Sequence, residues 1–131
     1  MFSTSQRNYI RLSIMSSEST YILLCHLHEL PEASSRSFVV KANGETIDLF
    51  LVRKEQSVHG YKNSCPHTGG PLDWMPDQFL NIEGELIQCA THDALFQIES
   101  GLCVSGPCIG DRLTAVRVAI EDDAIWFITD S

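Results

Sequence analysis

Two short stretches of this sequence determine its interpretation: residues 63–72, which read NSCPHTGGPL, and residues 89–92, which read CATH. Each stretch contains one cysteine and one histidine, and 21 residues separate the two pairs. Thiolate and imidazole are the ligands that iron and zinc prefer. The pattern predicts a metal site formed by two loops, with four candidate ligands: Cys65, His67, Cys89 and His92.

Two alternatives compete with an iron site. By chance alone, each cysteine could be a small core residue and each histidine a surface residue, but two such pairs in one loop-rich segment disfavour this. Structural zinc also takes two cysteines and two histidines, although zinc fingers usually space them as C-x₂₋₄-C and H-x₃₋₅-H. Here each loop supplies one of each, which suits a two-iron cluster whose irons take two thiolates and two imidazoles respectively.

Outside these loops the sequence predicts antiparallel β-structure. Short runs rich in β-branched and aromatic residues indicate strands at Tyr21–Cys25, Ser37–Lys41, Thr46–Val52 and Val58–Tyr61. The pair Asn43-Gly44 favours a tight hairpin between the second and third of these. A second hairpin is predicted near the C-terminus, where two apolar runs flank Glu121-Asp122-Asp123.

The chain is long enough for about one domain, with 131 residues. Glycine and proline crowd residues 63–110, so loops and short strands, such as Leu86–Gln88, are expected there. We therefore expect one domain over residues 19–131, with a base formed by 19–62 and 111–131 and an inserted subdomain at 63–110. Residues 1–18 are expected to be a disordered extension, for which an overlong annotated start before Met15 is favoured over a transit peptide.

Residues 63–110 resemble a Rieske ferredoxin, because the first box NSCPHTGGPL and the second box CATH are followed by Phe96, Gly101 and Gly106-Pro107. The resemblance extends over about 110 residues once the flanking strands are included. It implies an all-β Rieske fold, an antiparallel β-sandwich base domain with an inserted loop-rich cluster-binding subdomain. It also implies one [2Fe-2S] cluster, with the two cysteines on the inner iron, the two histidines on the outer iron, and Gly106-Pro107 in a third loop over the cluster.

The chain departs from the high-potential members that it resembles. Those members carry a disulfide between the ligand loops, and the corresponding positions here are Gly70 and Thr91. They also place serine and tyrosine hydroxyls near the cluster, where this chain has Ala94 and Phe96. Asp93 replaces the usual glycine. Fewer hydrogen bonds to sulfur and an added carboxylate predict a potential of about −150 mV or below.

Composition limits the possible partners. The net charge is −8, and 11 of the 17 acidic residues lie in residues 63–131, which argues against nucleic-acid binding and favours a basic docking partner. No apolar run approaches the roughly 18 residues of a membrane span. Five cysteines and no secretory signal predict reduced thiols in a cytoplasmic compartment.

These observations predict a soluble one-electron carrier, a ferredoxin that takes electrons from a reductase or supplies an oxygenase or similar redox enzyme. It would have no catalytic residues and no substrate site of its own. The alternative is a Rieske-like small subunit of a multi-subunit oxidoreductase such as assimilatory nitrite reductase. A terminal oxygenase would need a further mononuclear iron site of two histidines and a carboxylate, for which the remaining histidines are His26, His28 and His59.

The other cysteines and histidines receive structural interpretations. Cys25, Cys103 and Cys108 are expected to be small core or loop residues, and a Cys103–Cys108 disulfide is an alternative without support from the sequence. His26 and His28 are expected on one strand face as ordinary surface or core residues.

Overall fold

The structure, a computed structural model, describes residues 19–66, 70–73, 75–89 and 94–130. These residues form nine strands and one short 3₁₀ helix, Leu27–Glu29, and contain no α-helix. The strands are β1 (Ser19–His26), β2 (Ser34–Ala42), β3 (Glu45–Lys54), β4 (Ser57–Lys62), β5 (Leu86–Gln88), β6 (Leu95–Gln97), β7 (Cys103–Ser105), β8 (Ala115–Glu121) and β9 (Ala124–Asp130). The predicted disordered extension, residues 1–18, lies outside the described residues.

The strands form two antiparallel sheets. The larger has six strands in the order β1-β9-β8-β4-β3-β2, and the smaller has three in the order β5-β6-β7. The larger sheet comes from residues 19–62 and 115–130, and the smaller from residues 86–105. The predicted all-β antiparallel fold is confirmed. The division into a base and an inserted cluster-binding subdomain remains our interpretation of these two sheets.

Both predicted hairpins are confirmed, and their turns show why they form. Asn43 and Gly44 have φ of 55° and 79°, and they join β2 to β3 with Ala42 opposite Glu45. Asp122 and Asp123 have φ of 58° and 61° between β8 and β9. Two successive positive φ angles define the turn whose twist matches a two-stranded ribbon. Asparagine, aspartate and glycine tolerate this conformation better than other residues.

Strand β3 is buried on both faces. All four residues from Leu49 to Val52 have no exposed surface. Successive side chains of a strand point to opposite faces, and they enter two different cores here. Leu49 and Leu51 contribute to one core, while Phe50 and Val52 contribute to the other. Strand β3 therefore separates two apolar clusters and packs against both.

We call these clusters the base core and the site core. The base core contains Cys25, Leu30, Val40, Ala42, Leu49, Leu51, Ile125 and Phe127. The site core contains Phe50, Val52, Tyr61, Cys65, Leu72, Phe79, Leu80, Ile87, Cys89, Ala94, Phe96, Ile98, Cys103, Cys108 and Leu113. At its centre the rings of Phe50 and Phe79 stack with their centroids 4.2 Å apart and their planes 3° from parallel. The site core thus joins the larger sheet to the region that carries the candidate ligands.

The expectation that His26 and His28 share one strand face is wrong. Strand β1 ends at His26, where the backbone N–H of His26 donates to the Glu29 carboxylate at 2.8 Å, and the chain enters the 3₁₀ helix that contains His28. Both histidines are exposed, with ring centroids 5.9 Å apart. Their interpretation as ordinary residues of the surface is consistent with this placement.

Candidate metal centre

Each of the two predicted ligand loops is closed by a backbone hydrogen bond, and the two bonds have the same sequence spacing. The N–H of Cys65 donates to the carbonyl of Gly70 at 2.8 Å, and the N–H of Cys89 donates to the carbonyl of Ala94 at 2.9 Å. In each case the cysteine is paired with the residue five positions later. The other two predicted ligands, His67 and His92, fall inside these loops and outside the described residues. The structure therefore shows two loops of equal span, each starting at a cysteine.

Both cysteines face the same interior. Cys65 is 1% exposed and Cys89 has no exposed surface, and both belong to the site core. No disulfide involves either of them. Two buried thiols from separate loops, each accompanied by a histidine two or three positions later, form a donor set of the kind that an iron–sulfur cluster with mixed ligation requires. The residues present therefore fit such a group.

Asn63 holds the base of the first loop. Its backbone N–H donates to the Asp48 carbonyl at 2.9 Å. Its side-chain oxygen accepts the N–H of Leu72 at 2.7 Å, and its amide nitrogen donates to Asp73 at 3.3 Å. Asn63 lay within the first quoted box but received no role from the sequence. The structure shows that it ties the start of the loop to the segment that follows the loop.

The second loop extends from the smaller sheet. Gln88, at the end of β5, donates its N–H to the Phe79 carbonyl at 2.8 Å and faces Leu95 of β6. Beyond the loop, Ala94 and Phe96 are fully buried. These are the positions where the resemblance led us to expect hydroxyl donors in high-potential members. Neither side chain present here can donate a hydrogen bond to sulfur.

Tyr61 connects the end of β4, just before the first loop, to the residue that follows β6. It lies in β4, four residues before Cys65, and its hydroxyl donates to the buried Ile98 carbonyl at 2.6 Å. Burial, followed by the nearby Glu99 carboxylate, raises the pKa of Tyr61 to about 12. The phenol therefore remains a hydrogen-bond donor at neutral pH. No sequence pattern pointed to this residue, because its partner is 37 positions away.

Asp77 fastens the segment between the loops to the edge strand β2. Its carboxylate accepts hydrogen bonds from the backbone N–H and the hydroxyl of Ser37, both at 2.8 Å. The backbone bond first, and then the hydroxyl, lower the pKa of Asp77. Its carbonyl accepts the Ser35 hydroxyl at 2.7 Å. In the sequence Asp77 is only one of several acidic charges, so this anchoring role could not be predicted.

The remaining cysteines are buried, as predicted. Cys25 lies in the base core, whereas Cys103 and Cys108 lie in the site core. The Cys108 thiol donates to the Cys103 sulfur at 3.1 Å, and the Cys103 thiol donates to the Ser105 carbonyl at 3.2 Å. Burial, and then the hydrogen bond with Cys103, raise the pKa of Cys108 above its ordinary value. Both residues are free thiols in the structure.

Within the described ranges, which omit both predicted histidine ligands, no group of three or more His, Cys, Asp or Glu side chains is placed to hold a metal ion. The structure therefore shows no rival metal site in that part of the chain. No helix among the described residues has the length and apolar character needed to cross a membrane.

Two antiparallel sheets that share a core define an all-β protein, and two matched loops at that core each start at a buried cysteine. The family profile agrees with this class. The Rieske [2Fe-2S] domain profile matches residues 20–119, and the chain belongs to this family. The family binds one [2Fe-2S] cluster per domain, which identifies the cofactor of this chain. A comparison with curated protein sequences finds no significant match.

Solved structures show the same fold at low sequence identity. The ferredoxin of carbazole 1,9a-dioxygenase from Nocardioides aromaticivorans IC177 is 22% identical, with a TM-score of 0.64 over 82% of this chain and 96% of that one. A putative NADH-dependent nitrite reductase small subunit from Mycobacterium tuberculosis is 16% identical, with a TM-score of 0.62 over 86% of this chain and 97% of that one. The terminal oxygenase of carbazole 1,9a-dioxygenase from Novosphingobium sp. KA1 is 22% identical, with a TM-score of 0.66 over 85% of this chain but only 30% of the oxygenase.

Proposed function

We propose that this protein is a one-electron carrier with a low-potential Rieske cluster, a ferredoxin that supplies an oxygenase or a similar redox enzyme. One observation carries the proposal: two loops, each closed from a buried cysteine to the residue five positions later, start from the same core. When bound, the cluster supplies a site that takes up or releases a single electron. We assign no catalytic residue to the chain.

The ligand set that we propose is Cys65 and Cys89 on one iron and His67 and His92 on the other. The two cysteines, which lie among the described residues, support this ligand set because they are buried where thiolates would be shielded from water. The site core around them is apolar, and an apolar shell limits solvent access to a metal centre. The fully buried Ala94 and Phe96 provide no hydroxyl to stabilise the reduced form, which supports a potential of about −150 mV or below.

Alanine variants test the ligand set. Purified wild-type protein is expected to contain about two irons and two acid-labile sulfides per chain and, after reduction with dithionite, to give an electron paramagnetic resonance signal typical of mixed cysteine and histidine ligation. Cys65→Ala and Cys89→Ala are each expected to lose this iron. Cys25→Ala is the matched control, since Cys25 is also a buried thiol but lies in the base core. Zinc in place of iron, or full iron content in Cys65→Ala, would contradict the proposal.

A redox titration tests the predicted potential separately. Ala94→Ser and Phe96→Tyr each restore a hydroxyl at a buried position next to the second loop, and each is expected to raise the potential relative to wild type. A clearly positive potential in the wild type, or no upward shift in either variant at unchanged iron content, would contradict the argument about missing donors.

We propose that the partner presents a basic docking surface and that both proteins act in the cytoplasm. Exposed acidic side chains occur between residues 83 and 111, at Glu83, Glu85, Glu99 and Asp111. The odd number of cysteines, five, favours a reducing compartment over a disulfide-bonded scaffold. Among the similar structures, one is a complex of a reduced oxygenase with an oxidised ferredoxin of carbazole 1,9a-dioxygenase. If opposite charges guide docking, the rate of electron transfer to a partner is expected to fall as salt concentration rises.

A subunit of a larger oxidoreductase is the second candidate. The observation that favours it is the shared fold with the nitrite reductase small subunit, which covers most of both chains. Purification under mild conditions separates the two candidates. A carrier is expected to purify alone and to accept electrons from a flavin reductase, whereas a subunit is expected to purify with a large catalytic chain.

A further inference from the structure

The thiols of Cys103 and Cys108 lie in direct contact. Their sulfur atoms are 3.1 Å apart, and both side chains are 2% exposed. A disulfide bond is about 2.05 Å long. The two sulfurs therefore need to approach by only about 1 Å to form a bond.

Backbone hydrogen bonds hold the segments that carry this pair. Cys103 begins β7, and its N–H donates to the Asp111 carbonyl at 2.9 Å, while its carbonyl accepts the N–H of Gly110 at 3.2 Å. The Cys108 carbonyl accepts the N–H of Asp111 at 2.9 Å. These bonds close a tight turn whose two sides carry the two cysteines. Their proximity is therefore a property of the turn.

The pair lies just beneath the surface. Val104 is 40% exposed and Ile109 is 67% exposed, and each is the immediate neighbour of one cysteine. Access of a small reagent to the sulfurs requires this short turn to open, and surface turns open at low free-energy cost. In the closed form both thiols are hydrogen-bonded.

We propose that Cys103 and Cys108 form a reversible dithiol–disulfide site, a second redox centre in addition to the proposed one-electron carrier. A low-molecular-weight disulfide such as oxidised glutathione is the oxidant. One cysteine thiolate attacks the reagent, breaks its S–S bond and releases one thiol. The other cysteine then attacks the mixed disulfide and releases the second thiol. In total the protein loses two protons and two electrons and gains one S–S bond, while the reagent becomes two thiols.

The test uses cluster-loaded wild-type protein in a series of glutathione buffers in which the ratio of oxidised to reduced glutathione increases. Free thiols are alkylated in each buffer, and the intact mass and peptide map are recorded together with iron content. We expect the loss of two hydrogens per chain, one peptide pair linked through Cys103 and Cys108, unchanged iron, and full reversal by dithiothreitol. A protein that stays fully reduced in the most oxidising buffer would overturn the proposal.

Variants and iron content make the assignment specific. Cys25→Ala is expected to form the same link, while Cys103→Ser and Cys108→Ser are expected to form none and to carry glutathione on the remaining thiol. A link to Cys65, or a link that appears only in proportion to iron loss, would show that released ligand thiols had reacted and would overturn the proposal. If either serine variant fails to fold, the wild-type peptide map decides alone. Failure of this proposal leaves the ligand test untouched, because that test measures iron in Cys65→Ala and Cys89→Ala.

Discussion

Replacing Gly101 with alanine tests the contact between Gly101, which follows the second ligand loop, and Tyr61 in β4, which precedes the first ligand loop. Gly101 has a φ of +74°, and its N–H and carbonyl bond to Gln97 and Leu113, both within 2.9 Å. A Cβ added here would lie 2.8 Å from Cε1 of the Tyr61 ring and 3.3 Å from Cβ of Leu113. The first distance is too short for two carbons, so the ring or the backbone must move.

The magnitude has two parts. An L-residue at this φ costs about 1–2 kcal/mol, and inserting a methyl group into a packed site costs about 1–3 kcal/mol more. Gly44→Ala is the matched control, because Gly44 has a φ of +79° and no atom within 4 Å of the added Cβ. Both variants carry the backbone cost, so the difference between them isolates the contact with Tyr61, at about 1–3 kcal/mol.

Urea unfolding at matched iron content measures this difference. With an m-value of about 1–3 kcal/mol per molar urea, Gly101→Ala is expected to unfold at a urea concentration lower than Gly44→Ala by about 1 M. The bound cluster adds the same linkage term to both variants at matched occupancy. Equal midpoints for the two variants would refute the reasoning, since they would show that the Tyr61 ring does not restrict this position.

Three further predictions concern the same scaffold. The pKa of Tyr61 is raised in the folded state to about 12, so the stability that its phenol provides is complete below pH about 10 and is lost as pH rises toward 12. Tyr61→Phe should remove this alkaline loss of stability. In urea unfolding at neutral pH the variant should be less stable by about 1–2 kcal/mol. Hydrogen bonds from Ser37 lower the pKa of Asp77, so the stability that its carboxylate provides is present above the unfolded pKa of 3.8 and is lost as the pH falls below that value. The destabilisation caused by Asp77→Ala should therefore be smaller at pH 3 than at pH 7. An equal destabilisation at both pH values would contradict this. Phe79→Ala, which removes the ring stacked on Phe50, should cost about 3–5 kcal/mol in the same assay, and a loss below 1 kcal/mol would show that the stack is not part of the core.

The strands joined by short turns could be predicted from the sequence because their signals are local. Asn43-Gly44 and Asp122-Asp123 supply the positive φ angles that tight hairpins need, and the apolar runs on either side are long enough to predict strands. The pairing of β1 with β9 joins residues about 100 positions apart, and no local pattern encodes it. Strands β6 and β7 have three residues each, too few to show a period.

The candidate site divides in the same way. The ligand types and their spacing are local, so the sequence was sufficient to nominate the four ligands, and those assignments remain predictions. The residues that support the loops could not be found, because Tyr61, Asn63 and Asp77 act through partners that the fold brings to them. The error at His28 also has a local physical cause. A single hydrogen bond from His26 to Glu29 ends the strand before His28 is reached.

Because both faces of β3 are buried, the two cores are coupled when the molecule unfolds. Loosening the region around the ligand loops would strip Phe50 and Val52 of their neighbours, and those two residues alternate along one backbone with Leu49 and Leu51 of the other core. Exposing one face of this strand therefore weakens the packing on its opposite face. A chain arranged in this way should melt as a single cooperative unit, so that an intact base without its iron-binding half would be a scarce species at equilibrium.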